Sequence, residues 1–251
     1  QTVSPRPHTP YYIYKYISQP LHPPAPLMKR LLFYATLLLT LPVLLTSCDE
    51  TEELTDVEYT NWAERNDQVF LATLAQARTA VAAARARYGD DWTAHCPWRV
   101  FRTYAMVDTV KAKPTDSIAV YVQREGTGRM TPIATDSIRM NFLGRYIPNV
   151  LSTDEEARTR GEVFAYSGVS KDSANIFSPN YCSPAKYRVS NNIEGVSTAL
   201  QHMRTGDQWR IYVPSELAYG TTSSYVRASS MLIYTIELKG VWRSSTINEG
   251  W

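Results

Sequence analysis

The amino-acid sequence predicts an α+β fold, in which a long N-terminal helix precedes a curved antiparallel sheet wrapped on one short helix. Apolar side chains recur at helical spacing between residues 58 and 88. Beyond residue 92, short runs rich in β-branched and aromatic residues are bounded by Gly, Pro, Asn or Ser, which is typical of strands. One helical interval, residues 195–203, interrupts these runs and supplies the short helix.

The long helix is predicted from a single narrow apolar stripe. The helical period is followed by Trp62, Val69, Phe70, Leu74, Ala77, Val81, Ala84 and Tyr88, and Gly89 is a stop signal. Abundant alanine raises the helix propensity. Because so narrow a stripe needs a surface to pack on, we favour packing on its own domain. A homodimerisation or partner-binding arm through residues 58–88 is the alternative.

The strands are predicted at residues 98–106, 117–124, 136–143, 186–189, 208–213 and 231–241. The stretch from Tyr146 to Asn175 is predicted to be a solvated loop, because it is polar and rich in Ser, Thr, Asp and Glu. The resulting organisation has a helical segment at 58–89, one sheet domain at 92–243 and a tail at 244–251.

The first 57 residues have three different compositions. Residues 1–27 are rich in Pro, Tyr and His without a periodic pattern, and are predicted to be a disordered leader or translated upstream sequence. Residues 28–47 begin with Met28-Lys29-Arg30 and continue in an apolar run that Pro42 interrupts. That pattern is typical of an export signal and too short for a spanning helix. Residues 48–57 are predicted to be an acidic tether.

A cysteine motif closes the predicted export signal. The run Leu44-Leu45-Thr46-Ser47-Cys48 resembles the lipobox of bacterial lipoproteins, in which the cysteine becomes the first mature residue and carries a lipid. The resemblance implies lipidation of Cys48 and attachment to a membrane of a Gram-negative cell envelope, with the outer membrane as the expected site. A plain signal peptide or an uncleaved anchor helix is the alternative.

The distribution of charge argues against nucleic-acid binding as the main function. The formal net charge is +2, but the first 47 residues contain four basic residues and no acidic one. The rest of the chain has 22 basic and 24 acidic residues. Binding to a phosphate backbone needs a clustered basic face, which this near-neutral body does not predict.

Two cysteines follow Cys48, namely Cys96 and Cys182. In an exported protein they are candidates for a disulfide, which would close a loop of about 86 residues and stabilise the fold by roughly 4 kcal/mol. Two free buried thiols are the equal alternative, since a bridge needs Cα atoms within about 7 Å. His95 and His202 offer no zinc-type ligand spacing, so we expect neither a metal nor another cofactor.

Residues 193–220 carry a specific motif, IEGVSTALQHMRTGDQWRIYVPSELAYG. The succession of an aliphatic-x-Gly helix start, Met-x-x-Gly, a strand and Pro-x-x-Leu-Ala-Tyr-Gly resembles the second half of FKBP-type peptidyl-prolyl isomerases. Residues 119–128, 136–144 and 232–238 are similar to that family's first strand and turn, its aromatic-x-Gly strand and its closing strand. The resemblance covers residues 115–242. It implies the family's fold and cofactor-free isomerase activity on proline-containing polypeptides.

The resemblance also implies a set of pocket residues. Phe142 falls on the first pocket aromatic, and Ile193 on the aliphatic whose backbone N–H holds a substrate carbonyl. Tyr219 falls on the loop tyrosine whose hydroxyl donates to another carbonyl. The implied catalytic pocket is completed by Phe164, Val196 and Tyr234. Packing of core aromatics is the alternative interpretation of the three rings on the strands.

The sequence departs from the family at three positions, one of which is Asn192, where an aliphatic residue usually precedes Ile193. In the family's Gly-x-x-Phe-Asp motif, Gly161 and Phe164 keep the spacing, whereas Phe177 is a second candidate that needs a longer insertion. Either alignment lacks the Asp, and Val196 stands where the family has a floor tryptophan. Two functions follow: a weakly active isomerase assisting the folding of cell-envelope proteins, which we favour, or a non-catalytic FKBP-like binding or scaffold module.

Overall fold

Four helices and eight strands make up the described part of the chain. The computed structural model describes residues 57–105, 111–167, 183–222, 225–243 and 248–250, which fall in one compact unit. The helices are α1 (Trp62–Tyr88), α2 (Trp92–His95), α3 (Glu155–Arg160) and α4 (Glu194–Leu200). The strands are β1 (Trp98–Arg102), β2 (Ser117–Arg124), β3 (Ser137–Tyr146), β4 (Glu162–Tyr166), β5 (Ala185–Arg188), β6 (Gln208–Val213), β7 (Leu232–Trp242) and β8 (Asn248–Glu249).

The strands form one antiparallel sheet. Its order is β1-β2-β6-β7-β3-β4, with β5 paired to β3 and β8 paired to β7. The register of β3 on β7 shifts between Arg139 and Met140, and such bulges increase the local twist and bend the sheet. The predicted α+β fold, a curved antiparallel sheet on a short helix after a long N-terminal helix, is confirmed.

The short helix α4 fills the concave face of the sheet. Val196, Ala199 and Leu200 are almost fully buried and share one apolar cluster with Ile211 of β6 and Ile236 of β7. The strands supply alternate residues to this cluster, as the two-residue period of a strand requires. We call this side the concave face.

The long helix α1 covers the opposite, convex face. Its Phe70 and Leu74 are each 1% exposed and pack in a second cluster with Met231. Two polar contacts fix the helix: Trp62 Nε1 donates to Ser230 Oγ at 2.9 Å, and the Met231 N–H donates to Asn66 Oδ1 at 2.9 Å. The helix therefore packs on its own sheet, as favoured from the sequence.

Several predicted boundaries differ from the structure. A 3₁₀ turn at Val57–Tyr59 precedes α1, which begins at Trp62 rather than at residue 58. The first strand ends at Arg102 rather than at residue 106, and β3 extends to Tyr146 rather than ending at residue 143.

The prediction of a solvated loop at 146–175 was wrong for its described part. Residues up to 167 contain α3 and β4, and Asp154 caps α3 by accepting from the N–H groups of Glu156 and Ala157 at 2.8 and 3.2 Å. Both elements are too short to show a period in the sequence. Residues 168–182 lie outside the described residues, and so do Phe177 and Ser178.

The predicted leader, export signal and acidic tether span residues 1–57. Of these the structure describes only Val57, so Cys48 lies outside the described residues. Within the described ranges no helix is long and apolar enough to span a bilayer. The described side chains also contain no group of three or more His, Cys, Asp or Glu that could hold a metal ion.

Candidate active site

Aromatic side chains from four strands and one loop converge on the concave face beside α4. The rings of Phe164 and Tyr234 meet edge to face with centroids 5.7 Å apart. The rings of Phe142 and Tyr187 meet in the same way at 6.1 Å. Tyr219, in the loop after β6, hydrogen-bonds to Tyr234 and closes this set, which we call the aromatic cup.

The aromatic cup depends on the glycine of the aromatic-x-Gly motif. A Cβ on Gly144 would lie 2.8 Å from Cζ of Phe164 and 3.0 Å from Cε1 of Tyr234. Gly144 lies on β3 between the two strands that carry those rings, opposite Ala165 on β4 and Tyr234 on β7. The missing side chain therefore lets the two rings meet across the middle strand.

The hydroxyl groups of Tyr219 and Tyr234 share a hydrogen bond. Burial, the neighbouring Tyr219 hydroxyl and the hydrogen bond to it raise the pKa of Tyr234 well above its usual value, so Tyr234 keeps its proton. A phenol that keeps its proton can donate as well as accept, and in the arrangement in which Tyr234 donates, the Tyr219 oxygen is the acceptor. The O–H of Tyr219 can then donate to a ligand in the cup.

The loop that carries Tyr219 is held in place by its own sequence. Leu217 is buried in the concave core and anchors the loop. Gly220 has a φ of +65°, which glycine adopts without strain, and its N–H donates to Ser215 O at 2.8 Å. The Pro-x-x-Leu-Ala-Tyr-Gly motif thus fixes the position of the Tyr219 side chain.

The start of α4 forms the floor and one wall of the site. Ile193 is the N-cap residue of α4, and its side chain packs half-buried against the concave core. Since the N–H of an N-cap residue has no partner inside its helix, it can donate to a ligand. Val196, one turn later, is 2% exposed and belongs to the core beneath the cup. The preceding Asn192 donates from Nδ2 to the Arg188 and Val189 carbonyls at 3.0 and 3.1 Å.

The position of the family's aspartate holds no acceptor. Ala165 lies on β4 next to Phe164 and pairs with Gly144. Two residues later, the buried Ser167 accepts at Oγ from the Phe142 N–H and donates its own N–H to Phe142 O, both at 3.0 Å. Ser167 therefore holds the β3 backbone at Phe142. Its hydroxyl oxygen accepts from that backbone rather than from a ligand in the cup.

The aromatic contacts continue from the cup to α1. Tyr146 stacks on Phe164 with centroids 5.9 Å apart and meets Trp62 edge to face at 6.0 Å. Burial, with Glu162 nearby, raises the pKa of Tyr146 to about 12. A cavity of about 720 Å³ beside the cup is lined by Tyr146, Phe164 and Trp62 together with Tyr59 and residues 225–229. The long helix is thus in direct contact with the site.

The structure brings the predicted site residues together and adds two that the sequence analysis missed. Phe142, Phe164, Ile193 and Tyr219 pack half-buried against the core that contains Val196 and Tyr234. The missed residues are Tyr187 on β5 and Tyr225, whose ring stacks on Tyr219 at 6.0 Å. Tyr187 falls in the strand predicted at 186–189, so the sequence placed it on the sheet. Tyr225 lies in a loop without a periodic pattern, so no sequence feature pointed to it.

Of the three cysteines, the structure describes Cys96. It lies between α2 and β1, is buried and forms no disulfide with any described residue, and its Sγ lies 3.9 Å from the Trp98 carbonyl oxygen. Cys182 lies outside the described residues, so its pairing with Cys96 stays a prediction.

Comparison with known proteins points to one family. Residues 155–239 match the family described as FKBP-type peptidyl-prolyl cis-trans isomerase. A macrophage infectivity potentiator of Trypanosoma cruzi is 28% identical over 136 residues, covering 53% of this chain and 57% of that protein. The outer membrane protein MIP of Legionella longbeachae is 38% identical over 64 residues, covering 25% of this chain and 28% of that protein. The chain thus spans less than two thirds of either relative.

A solved structure of a peptidyl-prolyl cis-trans isomerase from Pseudomonas syringae pv. tomato also aligns, with a TM-score of 0.39 and 24% identity, covering 68% of this chain and 95% of that one. The matched residues 155–239 include Phe164, Ile193, Val196, Tyr219 and Tyr234. Residues 155–239 of this chain therefore match a domain of the FKBP-type peptidyl-prolyl cis-trans isomerase family.

Proposed function

We propose that this protein is a peptidyl-prolyl cis-trans isomerase that acts on proline-containing polypeptides of the cell envelope. One observation carries the proposal: Tyr219, whose hydroxyl is hydrogen-bonded to that of Tyr234, packs against the same concave core as Phe142, Phe164 and Ile193. The match of residues 155–239 to the family of FKBP-type peptidyl-prolyl cis-trans isomerases supports the same activity.

The proposed mechanism needs no nucleophile. Rotation about an X-Pro bond crosses a barrier of about 18–20 kcal/mol, and in the twisted amide the resonance of the planar forms is lost. An apolar aromatic cup desolvates the proline ring, while the donors at Tyr219 and Ile193 hold the flanking carbonyls. Groups that bind the twisted geometry better than either planar isomer lower the barrier.

A non-catalytic binding or scaffold module is the second candidate. Two observations favour it: Ala165 offers no acceptor where the family has an aspartate, and Val196 gives a small floor where the family has a tryptophan. A pocket with these features still binds a proline ring through apolar contact. It would stabilise the twisted amide less, so we expect low turnover.

The activity test is a protease-coupled isomerisation assay of the full chain on a proline-containing peptide. We expect measurable acceleration over the uncatalysed rate. Tyr219→Phe should lower turnover by up to about tenfold, because one hydrogen bond contributes about 0.5–1.5 kcal/mol net. The control is Tyr121→Phe, which removes a partly exposed hydroxyl on the other face of the sheet. Saturable peptide binding without acceleration would favour the scaffold module.

We further propose that a lipid on Cys48 anchors the protein in the outer membrane of a Gram-negative cell envelope. The basic, apolar and small-residue parts of the lipobox-like segment stand in order before Cys48. A relative that bears the name outer membrane protein supports an envelope location. Metabolic labelling with a radioactive fatty acid should mark the wild type, and Cys48→Ala should be unlabelled and leave the membrane fraction. Retention of Cys48→Ala in that fraction would instead indicate an uncleaved helix.

A further inference from the structure

A cavity of about 790 Å³ opens on the convex face, away from the aromatic cup. It lies where the first turns of α1, the helix α3 and strands β3, β6 and β7 meet. Five arginines line it, namely Arg65, Arg145, Arg158, Arg160 and Arg210. Among the described residues that line it there is no Asp or Glu.

The nearby carboxylates balance only part of this charge. Glu156 lies 3.1 Å from Arg145 and 3.5 Å from Arg160, and Glu155 lies 3.4 Å from Arg158. Neither Arg65 nor Arg210 has an ion pair with any described residue. Two guanidinium groups therefore face the cavity without a carboxylate partner.

The two arginines from α1 and β3 are built into the wall rather than spread on the surface. Arg145 is 6% exposed, and its Nη1 donates to the Gly161 carbonyl at 2.6 Å. Arg65 donates from Nη2 to the Pro148 carbonyl at 2.9 Å, while its buried Nη1 has no hydrogen-bond partner among the described residues. A buried donor that stays unsatisfied is destabilising, and a charged one more so, which favours a ligand that accepts from it.

The electrostatics of Arg145 agree with an excess of positive charge. Burial lowers the pKa of Arg145, Glu156 opposes that shift, and Arg160 and Arg210 add to it. In a concave site, charges of one sign concentrate their field and attract a counter-ion. The guanidinium fork fits phosphate and carboxylate oxygens in pairs.

We propose that this arginine cavity binds a small organic polyanion that bears phosphate or carboxylate groups. Its volume lies in the range of small-molecule sites, which is about 300–1,000 Å³. Leu143, Ile147 and Ile233 supply apolar wall between the arginines, so an organic body fits beside the anionic groups. The site lies on the face opposite the cup and does not depend on isomerase activity.

The test is titration calorimetry on the purified full chain at constant ionic strength, with pyrophosphate in one arm and citrate in the other. We expect saturable binding in at least one arm. Arg210→Gln and Arg65→Gln should each weaken it by about tenfold, which corresponds to about 1.4 kcal/mol. The matched control is Arg87→Gln, an exposed arginine near the far end of α1, and its affinity should stay within about twofold of wild type.

Binding of pyrophosphate alone would assign the cavity to phosphates, and binding of citrate alone would assign it to polycarboxylates. Absence of saturation in both arms by about 1 mM would overturn the proposal, because affinity would then be weaker than about −4.1 kcal/mol. Equal weakening of binding by Arg87→Gln would also overturn the proposal, since the loss of affinity would then reflect the lower net charge of the protein and not the cavity. Circular dichroism of each variant separates loss of binding from loss of fold, and the second arginine variant replaces any variant that does not fold.

Discussion

The two faces of the sheet are both covered by a helix, but they differ in what lies beneath it. On the concave face, α4 and the strands bury an apolar core, and the rim of that core is the aromatic cup. On the convex face, α1 packs by a narrow stripe, and the strands beside it carry Arg145 and Arg210. We therefore propose an apolar ring as the ligand of the first face and an anion as the ligand of the second.

The difference shows that the two faces of one sheet are under different structural constraints. The family pattern constrains the concave face, because its rings must meet across Gly144 and its loop must place Tyr219. The convex face is constrained where α1 packs on it, through the cluster that contains Trp62, Phe70, Leu74 and Met231. Beyond that contact its side chains are available for another ligand, since alternate residues of the same strands point away from the concave core.

The largest effect should come from removing the apolar contact of the convex face. Phe70→Ala should lower the free energy of unfolding by about 3–5 kcal/mol, because a buried ring is replaced by a cavity. Urea denaturation of the full chain measures it. The control is Leu71→Ala, a neighbour on α1 that is 43% exposed and should change stability by less than about 0.5 kcal/mol. Similar small losses in both variants would show that α1 does not dock on the sheet.

A smaller effect is expected from filling the gap in the concave face. Gly144→Ala places a methyl group within 3.0 Å of the Phe164 and Tyr234 rings, so the rings must separate. We expect a loss of about 1–3 kcal/mol in stability, typical of overpacking, together with reduced turnover. Isomerisation of a proline peptide, measured beside urea denaturation, would test it. Unchanged stability and turnover would mean that the two rings do not pack across Gly144.

The residues of the concave face could be predicted from the sequence better than those of the convex face, because only the former belong to a motif. Phe142, Ile193, Tyr219 and Tyr234 fall on motifs with fixed spacing, so residues far apart in the chain could be placed in one pocket before the structure was known. The arginine cavity has no such motif, because Arg65, Arg145 and Arg210 come from three elements that only the register of the sheet and the docking of α1 bring together.

Two smaller features escaped prediction for local reasons. The helix α3 is one and a half turns long and is signalled only by the Asp154 cap, so its residues gave a polar composition and no period. The Tyr219–Tyr234 hydrogen bond depends on a tyrosine at the last-strand position, where the sequence shows a ring but not the direction of its hydroxyl.

A pH dependence should distinguish the concave core from the exposed end of α2. Burial lowers the pKa of His202, whose ring stacks on Phe101 at 3.9 Å. The unfolded chain therefore binds more protons than the folded one below about pH 6.5, and stability should fall as the pH falls from there towards the folded pKa. His202→Gln should flatten this slope in urea denaturation from pH 7 to 5, whereas His95→Gln, exposed beside Asp91, should not. A slope unchanged by His202→Gln would contradict the burial effect.

The central claim is that Tyr234 orients Tyr219 as a donor to the substrate within one aromatic cup. A double-mutant cycle with Tyr219→Phe, Tyr234→Phe and both together, read as kcat/KM on a proline peptide, tests it most directly. We predict that each single variant lowers kcat/KM by up to about tenfold, and that Tyr234→Phe has no further effect once Tyr219 is Phe, because one hydrogen bond connects them. Additive losses, or no loss in Tyr219→Phe, would contradict the claim.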